Sequence, residues 1–167
     1  TFQKCGSLES IQLPDTLSKI GNGAFKEATA LKSVELPEKL TKINAETFNE
    51  CVSLEEVKIP AGVVSIGGKA FRECVSLKEI NLPDGLIKLA THTLAYCRTL
   101  TEVEIPAGVT SIGDYCFYDC DGLTTLYLPE AVQFIDASCF EECDNLETVN
   151  IPEGVETIEK GAFAYCK

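Results

Sequence analysis

The sequence predicts an α/β repeat solenoid dominated by short parallel strands, wound as a right-handed coil with 23 residues in each repeat. A large apolar residue recurs at this period without insertion or deletion: Phe2, Phe25, Phe48, Phe71, Leu94, Phe117, Phe140 and Phe163. Three residues after each comes a cysteine or, once, an alanine, and three residues later a leucine in every complete repeat. Such a fixed period indicates that equivalent residues stack in successive coils.

The first element of each repeat is a strand with the pattern Leu-x-x-Val-x-Ile, as at Leu54, Val57 and Ile59. Alternate side chains of a strand point to opposite faces, so the apolar residues are expected to point into the solenoid and their neighbours outward. The following proline, Pro60 in this repeat, ends the strand because it has no N–H to donate to a ladder.

A turn and a second short strand come next, the strand running from Val63 to Ile66 in the same repeat. Glycine is frequent in the turn, where we expect positive φ, at Gly62, Gly85, Gly108 and Gly154. Just after the second strand, we expect a left-handed residue at Gly21, Asn44, Gly67, Gly113 and Asp136. Ala90 and Glu159 depart from this pattern.

The last element of each repeat has the pattern Ala-Phe-x-x-Cys, as at Ala70, Phe71 and Cys74. This spacing predicts a one-turn helical or 3-10 segment whose phenylalanine and cysteine point inward. Because the repeats run without a linker, we expect a single domain over residues 1–167 with seven repeats and a partial eighth. The sequence begins and ends at the same phase of the repeat, so we expect it to be a fragment of a longer chain.

The charge balance excludes some classes of partner. Fourteen basic residues against 26 acidic ones give a net charge of −12, which opposes binding to nucleic acid or to an anionic lipid surface. No apolar run approaches the roughly 20 residues that cross a bilayer, so we expect no direct membrane insertion. An acidic solenoid favours basic partners or cations, or the charge serves solubility alone.

The nine cysteines are best explained as reduced structural thiols. A position that accepts either cysteine or alanine selects a small buried side chain, and coils spaced by about 4.8 Å place equivalent cysteines slightly beyond disulfide range. Two alternatives stay open for the two Cys-x-x-x-Cys pairs, which are a zinc site or a disulfide formed among Cys116, Cys120, Cys139 and Cys143.

No catalytic residue or cofactor is predicted. The single histidine, His92, has no serine or cysteine in a recognisable nucleophile motif with it, and the sequence contains no phosphate-binding glycine loop. We therefore interpret His92 as a surface residue and the protein as a non-enzyme.

The exposed strand positions should align into one broad surface, where solenoids commonly bind ligands. Across the repeats these positions hold eight acids and three lysines, and the charge thins towards Tyr127. The predicted ligand-binding residues are Glu56, Lys58, Glu79, Asn81, Glu102, Glu104 and Tyr127.

The repeat, read from Ile66 through Phe71, Cys74 and Leu77 to Pro83, resembles the BspA-type (Treponema-type) leucine-rich repeat. This resemblance implies a leucine-rich-repeat coil in a cell-surface or secreted protein and, for several members, adhesion. We therefore expect a non-catalytic protein-protein interaction or adhesion module with a protein ligand. The alternative is a structural or assembly scaffold, cytoplasmic or within a filament, with end-to-end self-association; a thiol-rich core suits reducing surroundings.

Overall fold

The computed structural model describes all residues from 1 to 167 and contains twelve short strands and no helix. The three-residue strands are β1 Ser33–Glu35, β3 Glu56–Lys58, β5 Glu79–Asn81, β7 Glu102–Glu104, β9 Thr125–Tyr127 and β11 Thr148–Asn150. The two-residue strands are β2 Lys42–Ile43, β4 Ser65–Ile66, β6 Lys88–Leu89, β8 Ser111–Ile112, β10 Phe134–Ile135 and β12 Thr157–Ile158. The structure contains no helix that is long and apolar enough to span a bilayer.

All strand pairs are parallel and join residues that are 23 positions apart, as Val34 pairs with Val57. The three-residue strands form three two-stranded sheets, β1 with β3, β5 with β7 and β9 with β11. The two-residue strands form one pair, β2 with β4, and one four-stranded sheet in the order β6, β8, β10 and β12. The predicted repeat solenoid with short parallel strands is thereby confirmed.

A single apolar core of 42 buried residues runs along the solenoid. Its largest side chains are the buried phenylalanines, which stack with ring centroids 5.3 Å apart between Phe25 and Phe48 and 5.4 Å apart between Phe48 and Phe71. A second stack begins at Phe117 and continues through the following repeats. Leu94, which is fully buried, separates the two stacks.

The predicted helical segment is wrong, because this part of each coil is a series of turns. Amides alternate between two uses: the Ala70 N–H donates to Gly67 O of the same coil at 3.2 Å, whereas the Phe71 N–H donates to Thr93 O of the next coil at 2.9 Å. A helix would use every amide within its own segment. The turns instead release every second amide to connect neighbouring coils.

The predicted sites of positive φ are also wrong. None of the glycines at 62, 85, 108 and 154 lies in that region, nor do Gly21, Asn44, Gly67, Gly113 and Asp136. The left-handed residues come two positions later, at Glu46 with φ 59° and Lys69 with φ 60°, and again four residues on, at Glu50 with φ 62°. These residues reorient alternate peptide groups towards the next coil.

Gly67 is needed for a different reason, which is close contact between coils. A Cβ at this position would lie 2.5 Å from the backbone nitrogen of Ala45, a separation at which the backbone must move. Gly113 has the same role, since its Cβ would lie 2.9 Å from the nitrogen of Thr91.

The cysteine ladder has a bonding role as well as a packing role. The Cys51 thiol donates to Phe25 O of the preceding coil at 3.0 Å. The same contact, always to the residue 26 positions earlier, recurs from Cys74, Cys97, Cys120, Cys143 and Cys166. All nine cysteines are free in this structure.

Candidate functional site on the strand face

The strand face consists of the outward side chains on and beside β1, β3, β5, β7, β9 and β11. The strands β1, β3, β5 and β9 each alternate exposed, buried, exposed, so that neighbouring coils present their outward residues side by side. All seven residues predicted to bind a ligand lie on this face and are exposed, and Tyr127 is 70% exposed.

Every lysine of the strand face is engaged with a glutamate one coil earlier. Lys32 lies 3.0 Å from Glu9, Lys58 lies 3.3 Å from Glu35, and Lys78 lies 2.9 Å from Glu55. The hydrogen bond from Lys78 lowers the pKa of the Glu55 carboxyl. The remaining acids of the face, which have no ion-pair partner, are Glu56, Glu79, Glu102, Glu104 and Glu147. The unneutralised charge of the face is therefore entirely negative.

The backbone ladder beneath this face is interrupted twice. The Glu55 N–H donates to Lys32 O at 2.9 Å and the Thr101 N–H donates to Lys78 O at 3.2 Å. The equivalent amides of Lys78 and Thr124 donate to no carbonyl. The sheet is consequently divided between β3 and β5 and again between β7 and β9.

The first cleft, of about 380 Å³, lies over the interruption between β3 and β5. It is lined by Glu56, Val57, Lys58, Ile59, Glu79, Ile80, Asn81, Glu102 and Glu104. Six of the seven predicted residues are thus brought together around one depression whose rim is strongly acidic.

The second cleft, of about 830 Å³, lies over the interruption between β7 and β9 and includes Tyr127. Its floor is apolar, formed by Val103, Ile105, Leu128 and Pro129. Val103 is half-buried, although the equivalent Val57 and Ile80 are at most 5% exposed. Sequence reasoning missed this floor, because its residues occupy core positions of the repeat and nothing in the pattern distinguishes them.

The turn side of the solenoid carries an aromatic cluster that was also missed. The His92 ring stacks on Tyr115 with centroids 4.8 Å apart, and Tyr96 meets Tyr118 edge-on at 5.2 Å. The Arg72 guanidinium lies 5.1 Å from the Tyr96 ring centroid. The sequence signal that could have revealed this cluster is the 23-residue spacing of His92 and Tyr115, which puts them at equivalent positions of neighbouring coils. Burial, with Lys69 and Arg72 nearby, lowers the pKa of His92.

The four cysteines considered for a metal site are fully buried. Two of them are engaged with backbone carbonyls, Cys120 with Leu94 O at 3.2 Å and Cys143 with Phe117 O at 3.1 Å. Nowhere do three or more His, Cys, Asp or Glu side chains converge as metal ligands would. Burial raises the pKa of Cys116 and of Cys143 to about 12, which keeps both thiols protonated near neutral pH.

Comparison with known protein families identifies the repeat. A family model described as the BspA type leucine rich repeat region matches residues 1–63 and 41–167, in six copies. No curated protein sequence matches the chain.

Solved bacterial structures share the fold. A leucine-rich repeat protein of Treponema pallidum superposes with a TM-score of 0.82 at 30% identity, over 87% of this chain and 71% of that protein. One from Bacteroides ovatus gives 0.89 at 30% identity, over 92% of this chain and 40% of that protein. A leucine rich cell surface protein of Faecalibacterium prausnitzii gives 0.71 at 26% identity, over 85% and 47%. The chain therefore spans less than half the length of the last two.

Proposed function

We propose that this chain, which belongs to the BspA-type leucine-rich repeat family, is a non-catalytic module that binds a protein ligand through its strand face. Leucine-rich repeat proteins generally bind proteins, and their fold is typically non-catalytic. The observation that carries the proposal is the strand face itself, where the unpaired carboxylates of Glu102 and Glu104 form one wall of a cleft with an apolar floor. Tyrosine is a frequent anchor at protein interfaces, and Tyr127 is exposed at this cleft.

The setting that we propose is adhesion at the cell surface or outside the cell. The Faecalibacterium prausnitzii protein with this fold is described as a cell surface protein. A broad acidic face suits an extracellular partner with a basic surface, because opposite charges accelerate encounter and exclude wrong partners.

A second candidate is a cytoplasmic or filamentous assembly scaffold that self-associates end to end. The nine free thiols favour it, since reducing surroundings preserve them. Light scattering of the purified chain separates the candidates: concentration-dependent growth beyond a monomer supports the scaffold, and a monomer at all concentrations contradicts it.

The proposed function is tested by charge reversal on the strand face. The double variant Glu102→Lys, Glu104→Lys is compared with Glu153→Lys, Glu156→Lys, which changes net charge equally at two exposed acids elsewhere. Binding to a panel of immobilised purified extracellular proteins is measured for each. We expect the first variant to lose the binding of the native chain and the second to retain it. Equal binding by both variants would exclude the strand face.

A further inference from the structure

Glu102 and Glu104 form a ridge that belongs to both clefts of the strand face. They project from β7. On one side they line the first cleft, called here the acidic cleft, and on the other side the second cleft, called here the apolar-floored cleft. Two adjoining depressions of different chemistry thus share one wall. A ligand that crosses the ridge would meet carboxylates first and an apolar surface next.

The acidic cleft contains a like-charge pair that a cation would relieve. In the parallel register of β5 and β7, Glu79 lies directly opposite Glu102. Like charges opposite one another destabilise a sheet, and neither carboxylate has an ion-pair partner, while Lys58 is already held by Glu35. A lysine or arginine side chain placed here would neutralise repulsion that is built into the free protein.

The apolar-floored cleft exposes surface that elsewhere in the repeat is buried. Val103, on β7 beside the interruption between β7 and β9, is only half-buried, whereas Val57 and Ile80 beside the other interruption are buried. Covering Val103 together with the exposed Tyr127 ring would remove apolar area from water. A large apolar side chain fits this depression of about 830 Å³.

The separation of the clefts sets the spacing in the ligand. The Glu79 and Glu102 pair is centred one coil from Val103 and Tyr127, about 4.8 Å along the stack, and between one and two residues from them along the strands, about 5 Å, so the two sites lie roughly 7 Å apart. Side chains of an extended segment alternate between two faces and advance about 3.3 Å per residue, so two side chains that point to the same surface at this distance are two residues apart.

We propose that the strand face recognises an extended protein segment in which a lysine or arginine stands two residues from a large apolar side chain. The cation occupies the acidic cleft at Glu79 and Glu102, and the apolar side chain occupies the cleft at Val103 and Tyr127. This proposal rests on the proposed function, since it names the kind of protein segment that the same face binds.

The first test uses a phage-displayed library of random linear peptides selected on the native chain. Phage are first depleted on the variant Glu79→Gln, Glu102→Gln, Glu104→Gln. We expect the enriched peptides to share a lysine or arginine two residues from a large apolar residue. The proposal is overturned if nothing is enriched, or if the enriched peptides lack that spacing.

The second test measures the affinity of an enriched peptide by fluorescence anisotropy. We expect the single variant Tyr127→Ala and the double variant Glu79→Gln, Glu102→Gln each to weaken binding by about tenfold. The control double variant Glu153→Gln, Glu156→Gln should change binding by less than about twofold. Moving the apolar residue next to the cation should also weaken binding about tenfold. If basic peptides bind equally whatever their spacing, recognition is electrostatic only, and the inference fails while the proposed function stands. If reversal of Glu102 and Glu104 leaves the binding of whole proteins intact, the proposed function fails.

Discussion

The turn side and the strand side of this solenoid connect the same coils in different ways. On the turn side, three backbone hydrogen bonds of 2.7 to 3.1 Å cross each junction from Gly23 onward, such as those donated by Lys69, Phe71 and Glu73. On the strand side, the ladder is absent between β3 and β5 and between β7 and β9. The turn side therefore acts as a continuous spine, and the strand side can vary its spacing and its residues.

Side chains reinforce the same difference. The spine is accompanied by stacked phenylalanine rings and by thiols bonded to carbonyls in the preceding coil. The strand side adds the two hydrogen bonds between the Asn150 amide and the Leu128 backbone, and exposed ion pairs such as Lys32 with Glu9. Pairs of that kind contribute at most about 1 kcal/mol each. Stability and recognition are thus divided between two sides of each coil.

The largest predicted effect is a fall in the free energy of unfolding at alkaline pH, which arises from the buried thiols of the turn side. Burial raises the pKa of Cys51 to about 12 and that of Cys74 well above its ordinary value, so the folded chain keeps protons that the unfolded chain loses above pH 9. This stability is fully present below the unfolded thiol pKa and is lost as pH rises towards the folded pKa. Between pH 8 and pH 10 we expect a loss of about 1.4 kcal/mol per buried thiol.

Urea denaturation at both pH values, under reducing conditions, measures this loss. The double variant Cys74→Ala, Cys97→Ala should show a pH-dependent loss smaller by about 3 kcal/mol, whereas Cys5→Ala, at an exposed thiol, should behave as the native chain does. Identical pH dependence in all three proteins would contradict the assignment to buried thiols.

Removing a buried aromatic ring from the turn side should lower the free energy of unfolding far more than removing an exposed ring from the strand face. Phe71 is fully buried and stacked on Phe48, so Phe71→Ala should lower the free energy of unfolding by about 3 to 5 kcal/mol. Tyr127→Ala should change it by less than about 0.5 kcal/mol, because the ring is 70% exposed. Chemical denaturation of the two variants gives the comparison, and equal losses would refute it.

A smaller effect is expected where a glycine allows coils to approach. Gly67→Ala should destabilise by about 1 to 3 kcal/mol, because its Cβ would meet the Ala45 nitrogen at 2.5 Å. Gly62→Ala is the matched control, with only ordinary contact to Leu40 O at 3.6 Å, and should be neutral or stabilising by up to about 1 kcal/mol. Thermal unfolding would distinguish them, and a Gly67→Ala protein as stable as the native one would rule out close approach.

The smallest effect concerns the interrupted ladder itself. Amide hydrogen exchange should be fast at Lys78 and Thr124, whose N–H groups have no acceptor, and slower at Glu55 and Thr101, which are bonded to the preceding coil. We expect a difference of at least about tenfold in exchange rate, read by NMR. Uniform protection at all four amides would show that the ladder is continuous in solution.

The repeat pattern predicted the strands and the inward ladders correctly, but it did not predict the form of the turn side. Ala-Phe-x-x-Cys has helical spacing, and only the neighbouring coil, by accepting the Phe71 N–H at Thr93 O, converts it to turns. The left-handed residues were missed for the same reason, since Glu46 and Lys69 are not residue types that favour positive φ.

The sequence by itself determined the period, the coil-by-coil register and the residues of the strand face, because stacking at 23 residues forces equivalent positions into line. The tertiary structure decided which amides cross between coils, which glutamates are left without lysines, where the ladder separates, and that Val103 is less buried than Val57. These features depend on small displacements between neighbouring coils. A repeat pattern specifies which residues stack, and it contains no information on such displacements.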